Sequence, residues 1–357
     1  MVEGVSMLYH NKIWLSDLDR VLQVVPELEQ LSNHSVLITG ASGLICSAVI
    51  DMLLRYNDSH EANIHIIAAG RSYENMTLRF GSLLKRDDFE FIKYDAASLD
   101  SSFDIHFDYI IHGASNASPD KIVVEPVETM MSNIMGLKLL LDHAKENNSE
   151  RVLYISSSEV YGQNDSSSQY LEDEYGYIDI LQPRNSYSVA KRAAENLCAS
   201  YFAEYGVFTV IARPGHIYGP TASKKDRRVS SEWLHSAAGC KDIVMKSDGA
   251  QIRSYCYCLD CASAVLKILL RGEKGKAYNI SNEKSVISIK EMAEKISQKA
   301  GVRLVREVPS ESEVRQFNPM LNSSLNNARL LELGWRGCFQ VDEGIEHSIQ
   351  LLKELYS

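Results

Sequence analysis

The sequence predicts an α/β protein, a doubly wound parallel sheet joined to a smaller C-terminal α/β portion. Three observations predict it. Apolar runs of strand length alternate with helical patterns from Val36 to Ile155, the arrangement of a parallel sheet covered on both faces. A glycine-rich turn joins the first of these strands to the first helix, and 357 residues suffice for one large domain plus a smaller one. The expected division is a helical extension over 1–34 and a sheet domain carrying the catalytic residues over 35–212. A substrate-binding portion over 213–357 is expected to return in part to the sheet domain.

Composition narrows the partners. A net charge of −10 argues against binding nucleic acid or an anionic membrane, so an anionic substrate requires a local basic pocket. No apolar run has the length of a membrane span and no signal-peptide layout opens the chain, so a cytoplasmic protein without a membrane partner is expected. The seven cysteines are odd in number and sit mostly in apolar segments, which suits reduced thiols. Cys256, Cys258 and Cys261 lie close together, but no fourth ligand has matching spacing, so no metal is expected. Asp260 reads as the N-cap of a helix over 261–270.

Taken in order, Leu15, Leu18, Val21, Leu22, Val25, Leu28 and Leu31 form a helical stripe. It covers either the sheet domain or another subunit. The strand 36–39 runs into Gly40-Ala-Ser42-Gly43-Leu44-Ile45-Cys46, where glycines let a pyrophosphate approach backbone N–H groups at a helix N-terminus. Cys46 replaces the third glycine of the usual pattern. The strand 64–69 ends at Gly70-Arg71-Ser72 with an arginine where an acid would hold ribose hydroxyls, favouring NADP(H) over NAD(H). Asp95 closes the strand 91–95, placed to meet an adenine amino group. The strand after it ends in Gly113-Ala114-Ser115, small residues that allow close passage of a cofactor.

The strand 151–155 delivers Ser156-Ser157-Ser158-Glu159 to the sheet edge where open parallel sheets bind ligands. Further on, Tyr187 and Lys191 stand four apart on one helix face. A cation beside a phenol favours the phenolate, so Tyr187 reads as a general base toward a sugar hydroxyl.

These motifs resemble the extended short-chain dehydrogenase/reductases, the NAD-dependent epimerase/dehydratase family that modifies nucleotide sugars on a Rossmann-type fold. The resemblance runs from Val36 to the C-terminus through Gly40-x-x-Gly43, Ser-Ser-Glu-Val-Tyr-Gly, Pro183-Arg-Asn-Ser-Tyr187-x-x-x-Lys191, Arg213-Pro-Gly-His216, Gln251-Ile-Arg253-Ser-Tyr and Leu333-Gly-Trp335. It implies Tyr187 as base, Lys191 as its partner and ribose ligand, and Ser157 as the hydroxyl on the reacting sugar oxygen. Asn133 matches the family's helix asparagine. Ser158, His216 and Arg253 are implied on the substrate, with Arg253 toward its diphosphate, although many relatives have asparagine where His216 stands.

The implied reaction oxidises the sugar at C4 with bound NAD(P). The resulting ketone then allows decarboxylation, dehydration or 4-epimerisation, and Glu159 matches decarboxylases and dehydratases better than simple epimerases. The pattern is closest to UDP-glucuronate decarboxylases. A non-catalytic NAD(P)-binding scaffold or sensor and a carbonyl reductase are the competing classes. The polar insertion 163–181 reads as a lid or a solvated loop, and Lys224, Lys225, Arg227 and Arg228 as a phosphate contact or a solvated run. Family members often pair the helix of Tyr187 with the long helix before it across a two-fold axis, so a homodimer is expected.

Overall fold

The computed structural model describes residues 7–98, 103–115, 117, 119–164, 168–310 and 320–356. The strands of the main sheet are β1 (Ser35–Thr39), β2 (His65–Gly70), β3 (Phe89–Lys93), β4 (Tyr109–His112), β5 (Arg151–Ile155), β6 (Thr209–Pro214) and a later strand at Ala277–Ile280. They lie in the order 3-2-1-4-5-6 with the later strand outside β6, and every pairing is parallel. Strand order reverses about β1, which opens a crevice at the carboxyl edge between β1 and β4.

Burial on both faces explains the continuous apolar strands. Val36 and Ile38 of β1 join one buried cluster and Leu37 the other, as the alternation of side chains across a strand requires. On one face lie α1 (Met7–His10), α2 (Lys12–Leu22) and α3 (Leu44–His60), with α4 (Tyr73–Phe80) toward the β3 edge. On the other, α5 (Pro119–Val124) leads into α6 (Pro126–Asn147), which packs along α7 (Ser186–Tyr205).

The N-terminal stripe covers the sheet domain. Trp14, Leu18 and Val21 are fully buried against α3 and the later helix at Cys258–Arg271, and the Trp14 indole donates to Asp51 at 2.9 Å. The single long helix suggested by the stripe is broken. Pro26 offers no N–H and restricts Val25 before it, so α2 stops at Leu22 and Pro26–Leu31 forms a 3-10 turn that buries Leu28 and Leu31.

The smaller layer contains β7 (His216–Tyr218), β8 (Ile243–Met245) and β9 (Ile252–Tyr257), with α8 (Val229–Ala238) between β7 and β8. The chain then returns to the main sheet through α9 (Cys258–Arg271), which packs on α3, and β10 (Ala277–Ile280), the seventh strand. It ends through β11 (Val286–Ser288), α10 (Ile289–Ala300), β12 (Leu304–Arg306), β13 (Asn322–Ser323), α11 (Ala328–Glu332) and α12 (Val341–Glu354). β7 and β13 pair with β9 in parallel and β11 pairs with it antiparallel, while β12 pairs with β8.

Asp260 is not an N-cap. The helix begins two residues earlier, at Cys258, and buried Asp260 accepts from the backbone N–H groups of Cys338 at 2.7 Å and Phe339 at 3.1 Å. Burial raises its carboxyl to about 7. Cys256, Cys258 and Cys261 are buried around the same turn. Among the described residues no cluster of three or more His, Cys, Asp or Glu side chains is arranged to hold a metal, and no helix is long and apolar enough to cross a membrane.

Candidate active site

A cavity of about 730 Å³ opens at the carboxyl edge of the sheet, between the main sheet and the smaller layer. Its floor is the glycine turn. Gly40 has φ +70°, and a Cβ there would lie 2.8 Å from the Gly113 and Ala114 backbones, so the β1 and β4 turns nest only because the position is glycine. Gly43 is the N-cap of α3 and carries no side-chain cap, leaving the first N–H groups of that 17-residue helix aimed along the cavity wall formed by Leu44 and Ile45. Uncapped helix donors beside a side-chain-free backbone fit a dinucleotide's pyrophosphate. Ala114 donates its N–H to the Thr39 hydroxyl at 3.2 Å, fastening the β4 turn beside the cradle.

Ser157, Ser158, Glu159, Tyr187 and Lys191 all line this cavity, together with His216 and Arg253 from the smaller layer. The phenol of Tyr187 is buried and its pKa is pushed above the ordinary value, chiefly by desolvation and then by the Glu159 charge; a hydrogen bond with Ser157 and the charge of Arg228 act in the opposite direction. The ammonium of Lys191 donates to the Ile155 carbonyl at 2.7 Å and lies 4.5 Å from the centroid of the Tyr154 ring, against 5.6 Å for Tyr187. This corrects the simple pairing argument. Helical spacing puts both side chains on one face, yet the Ile155 carbonyl at the strand end takes the cation, and the groups that favour the phenolate here are Ser157 and Arg228. Burial also lowers the Lys191 pKa to about 7.

Glu159 sits on a short turn capped by Ser157, whose hydroxyl accepts from the Glu159 N–H at 3.2 Å. Its carboxylate accepts from the Ser188 hydroxyl at 2.9 Å and faces the Arg184 guanidinium at 3.6 Å. Arg184 belongs to a quoted motif but drew no assigned role from the sequence. Its position three residues before Tyr187, at the mouth of the same helix, was the available signal. His216 is held neutral, its pKa lowered to about 3 by burial and by Arg253 and Arg228. Arg253 is buried, donates to the Ile252 carbonyl at 2.9 Å and lies with Arg227, Arg228 and Lys246 in the cavity wall, the basic lining that an anionic substrate demands of an acidic chain.

Ser42, Arg71, Asp95, Ala114, Asn133, Lys224 and Lys225 stand apart from this cavity lining. Arg71 is exposed beyond the end of β2, next to Ser72, which caps α4. Asp95 lies two residues past β3 and accepts from the Ala97 N–H at 3.1 Å. Asn133 is buried beneath the site. It donates to the Thr129 carbonyl at 2.7 Å and accepts from the Tyr154 hydroxyl at 3.2 Å, so it orients the ring on which Lys191 rests.

A buried polar network lies behind Ser157 and Tyr187. Arg213 at the end of β6 holds Glu195 of α7 through both carboxylate oxygens, at 2.9 and 2.6 Å, and Glu195 also accepts from the Ser156 hydroxyl. Arg213 further donates to the Tyr161 hydroxyl at 3.0 Å, the Tyr175 hydroxyl at 2.8 Å and the Glu172 carbonyl at 2.7 Å. The polar segment 168–181 is therefore anchored rather than merely solvated, because buried Glu172 also accepts from the Asn279 N–H.

The fold and this arrangement define a short-chain dehydrogenase/reductase of the extended kind. The chain belongs to the NAD dependent epimerase/dehydratase family, whose sequence profile matches residues 36–281, and it is an enzyme of that kind. UDP-glucuronic acid decarboxylase 6 of Arabidopsis thaliana is 28% identical over 317 residues, covering 88% of this chain and 87% of its own. The dTDP-D-glucose 4,6-dehydratase of Homo sapiens is 26% identical over 338 residues, covering 89% and 90%. Among solved structures, an epimerase from Methanothermobacter thermautotrophicus matches with a TM-score of 0.79 at 21% identity, over 94% of this chain and 96% of its own.

Lys191 gives a test by pH. Its folded pKa of about 7 lies below the ordinary 10.5, so between these values the unfolded chain binds the extra proton and stability rises with pH. Lys191→Met is expected to gain stability relative to wild type, most below pH 7 and progressively less toward pH 10, while losing activity. Urea unfolding of both proteins across pH measures it. A variant less stable than wild type below pH 7 contradicts a buried, destabilising ammonium.

Proposed function

We propose that this enzyme modifies a nucleotide sugar by transient oxidation at C4, followed by decarboxylation or dehydration. The observation that carries the reading is the convergence of Tyr187, Ser157 and Glu159 on one cavity whose floor is the glycine cradle. The kinship with a UDP-glucuronic acid decarboxylase and a dTDP-D-glucose 4,6-dehydratase supports it.

Oxidising a secondary alcohol requires a base on the hydroxyl and a hydride acceptor flanking one carbon. The bound dinucleotide supplies the acceptor. Tyr187, as the phenolate that Ser157 and Arg228 favour, takes the hydroxyl proton while Ser157 hydrogen-bonds the same oxygen. The ketone so formed acidifies the neighbouring C5–H and makes a C6 carboxylate, where present, a β-keto acid. Glu159 handles the proton at C5, and the basic side chains of the wall hold the diphosphate. Retention of Tyr187, Lys191 and Ser157 together supports turnover over a scaffold role.

Two finer proposals accompany this reading. NADP(H) binds at least as tightly as NAD(H), since Arg71 replaces the acid that would repel a 2′-phosphate. Calorimetry on cofactor-free protein checks this, and clearly tighter NAD(H) binding contradicts it. The enzyme is a homodimer, supported by the exposed Val124 at the end of α5 and Val127 and Met131 in the first turns of α6. A monomeric mass by light scattering at micromolar concentration contradicts it.

The chemistry is tested by product mass on a panel of nucleotide sugars: loss of carbon dioxide or of water fits, and unchanged mass points to epimerisation. Tyr187→Phe keeps the ring without the base and should lower turnover by about a hundredfold or more. Glu159→Gln should still produce a nicotinamide absorbance rise on substrate addition but release little product. Normal turnover by Glu159→Gln would instead favour 4-epimerisation.

A further inference from the structure

Behind Glu159 lies a second, smaller cavity of about 110 Å³, room for several waters at about 30 Å³ each in the liquid. Glu159 and Arg184 are the two described residues that line both cavities. The remaining described wall is mixed: Gln163, Asp179, Asn185 and Ser188 supply polar groups, while Tyr177, Ile178 and Met320 supply apolar surface. Arg184 Nε is buried and has no hydrogen-bond partner among the described residues, although its Nη1 faces Glu159 at 3.6 Å. A buried N–H without a partner is costly and is ordinarily satisfied by water. The Ser188 hydroxyl fixes one carboxylate oxygen of Glu159 in this partition.

We propose that the small cavity is a water-holding proton port, through which Glu159 exchanges its proton with solvent while sugar and cofactor fill the main cavity. This rests on the reading of Glu159 as the group that works at C5. In a decarboxylation the C5–C6 bond breaks, its electron pair passes to the C4 oxygen as an enolate, and C6 leaves as carbon dioxide. The protonated Glu159 then gives its proton to C5, whose new C–H bond takes up the enolate pair. The carboxylate left behind is reprotonated by water in the port, which draws one proton from bulk solvent per turnover. In a dehydration Glu159 takes the C5 proton and the electron pair of that bond forms the C5–C6 double bond. The C6 hydroxyl leaves as water with a proton balanced by the one removed from the C4 hydroxyl. The hydride taken from C4 then returns to C6 while C5 takes a proton from Glu159, which the port lets exchange with solvent in between. Arg184 keeps Glu159 between the cavities and donates to the port water, so it is a positioning residue.

Gln163 and Ile178 line the small cavity but not the large one, so bulk added there fills the port without touching the sugar site. Gln163→Trp covers an exposed position and Ile178→Phe a partly buried one, which keeps the test independent of either variant's folding. For a decarboxylation, enzyme equilibrated in D2O is mixed with excess substrate in H2O and the isotope at C5 of the first-turnover product is read by mass spectrometry. Wild type should show mostly protium, and the filled variants a several-fold rise in retained deuterium. For a dehydration the reaction is run in D2O, where wild type should carry deuterium at C5 and the filled variants several-fold less. Both variants should keep the wild-type rate of nicotinamide reduction on substrate addition. Product of the expected mass with the same C5 isotope content in both variants as in wild type overturns the port alone. Absence of any dehydrated or decarboxylated product from wild type overturns the underlying reading, and the port with it.

Discussion

The buried ion pair between Arg213 and Glu195 is the constraint on which the site depends. It joins the end of β6 to the middle of α7 with two hydrogen bonds, and through Ser156 it reaches the residue directly before Ser157. The helix carrying Tyr187 and Lys191 and the strand end carrying Ser157 are thus tied to one charge-assisted network. A pair this deep offsets its desolvation only when geometry and further hydrogen bonds are good, and the two tyrosine hydroxyls and the Glu172 carbonyl supply those. Removing one member would leave a buried charge unmatched, so the network favours one placement of the helix over a range of them.

Around that anchor the electrostatics follow from burial. Tyr187, Lys191 and His216 all sit where charge is expensive, and each is shifted toward its neutral form. The charged groups of the cavity wall include Glu159, Glu232, Asp242 and Glu307 on one side of the balance and Lys246 and the arginines on the other. The Tyr187 phenol beside Ser157, the Glu159 carboxylate beside Arg184 and a cluster of basic side chains form three chemically distinct zones in one space, to which the proposed reaction assigns proton removal, proton handling at the next carbon and anion binding.

Most of the fold was legible because it rests on local signals. The apolar strands, the glycine turn at Gly40 and Gly43 and the four-residue spacing of Tyr187 and Lys191 are read from neighbours in the chain, and the structure places all of them at one sheet edge. What stayed hidden depends on contacts between distant residues. Nothing near Arg213 identifies Glu195 as its partner, nothing near Lys191 says that the Ile155 carbonyl will take its ammonium, and Asp260 looked like a cap until residues 338 and 339 arrived over it. The early end of α2 was legible in Pro26, a local signal that the apolar stripe outweighed.

The central claim is that hydride leaves C4 of a bound sugar at the site where Tyr187 and Ser157 meet. Rapid mixing of the enzyme with a nucleotide sugar that it turns over, deuterated at C4, tests this most directly. The account predicts a slower rise in nicotinamide absorbance than with the unlabelled sugar, with the label passing to the cofactor. Turnover at an unchanged rate, with no reduced nicotinamide and the label never leaving C4, would contradict it.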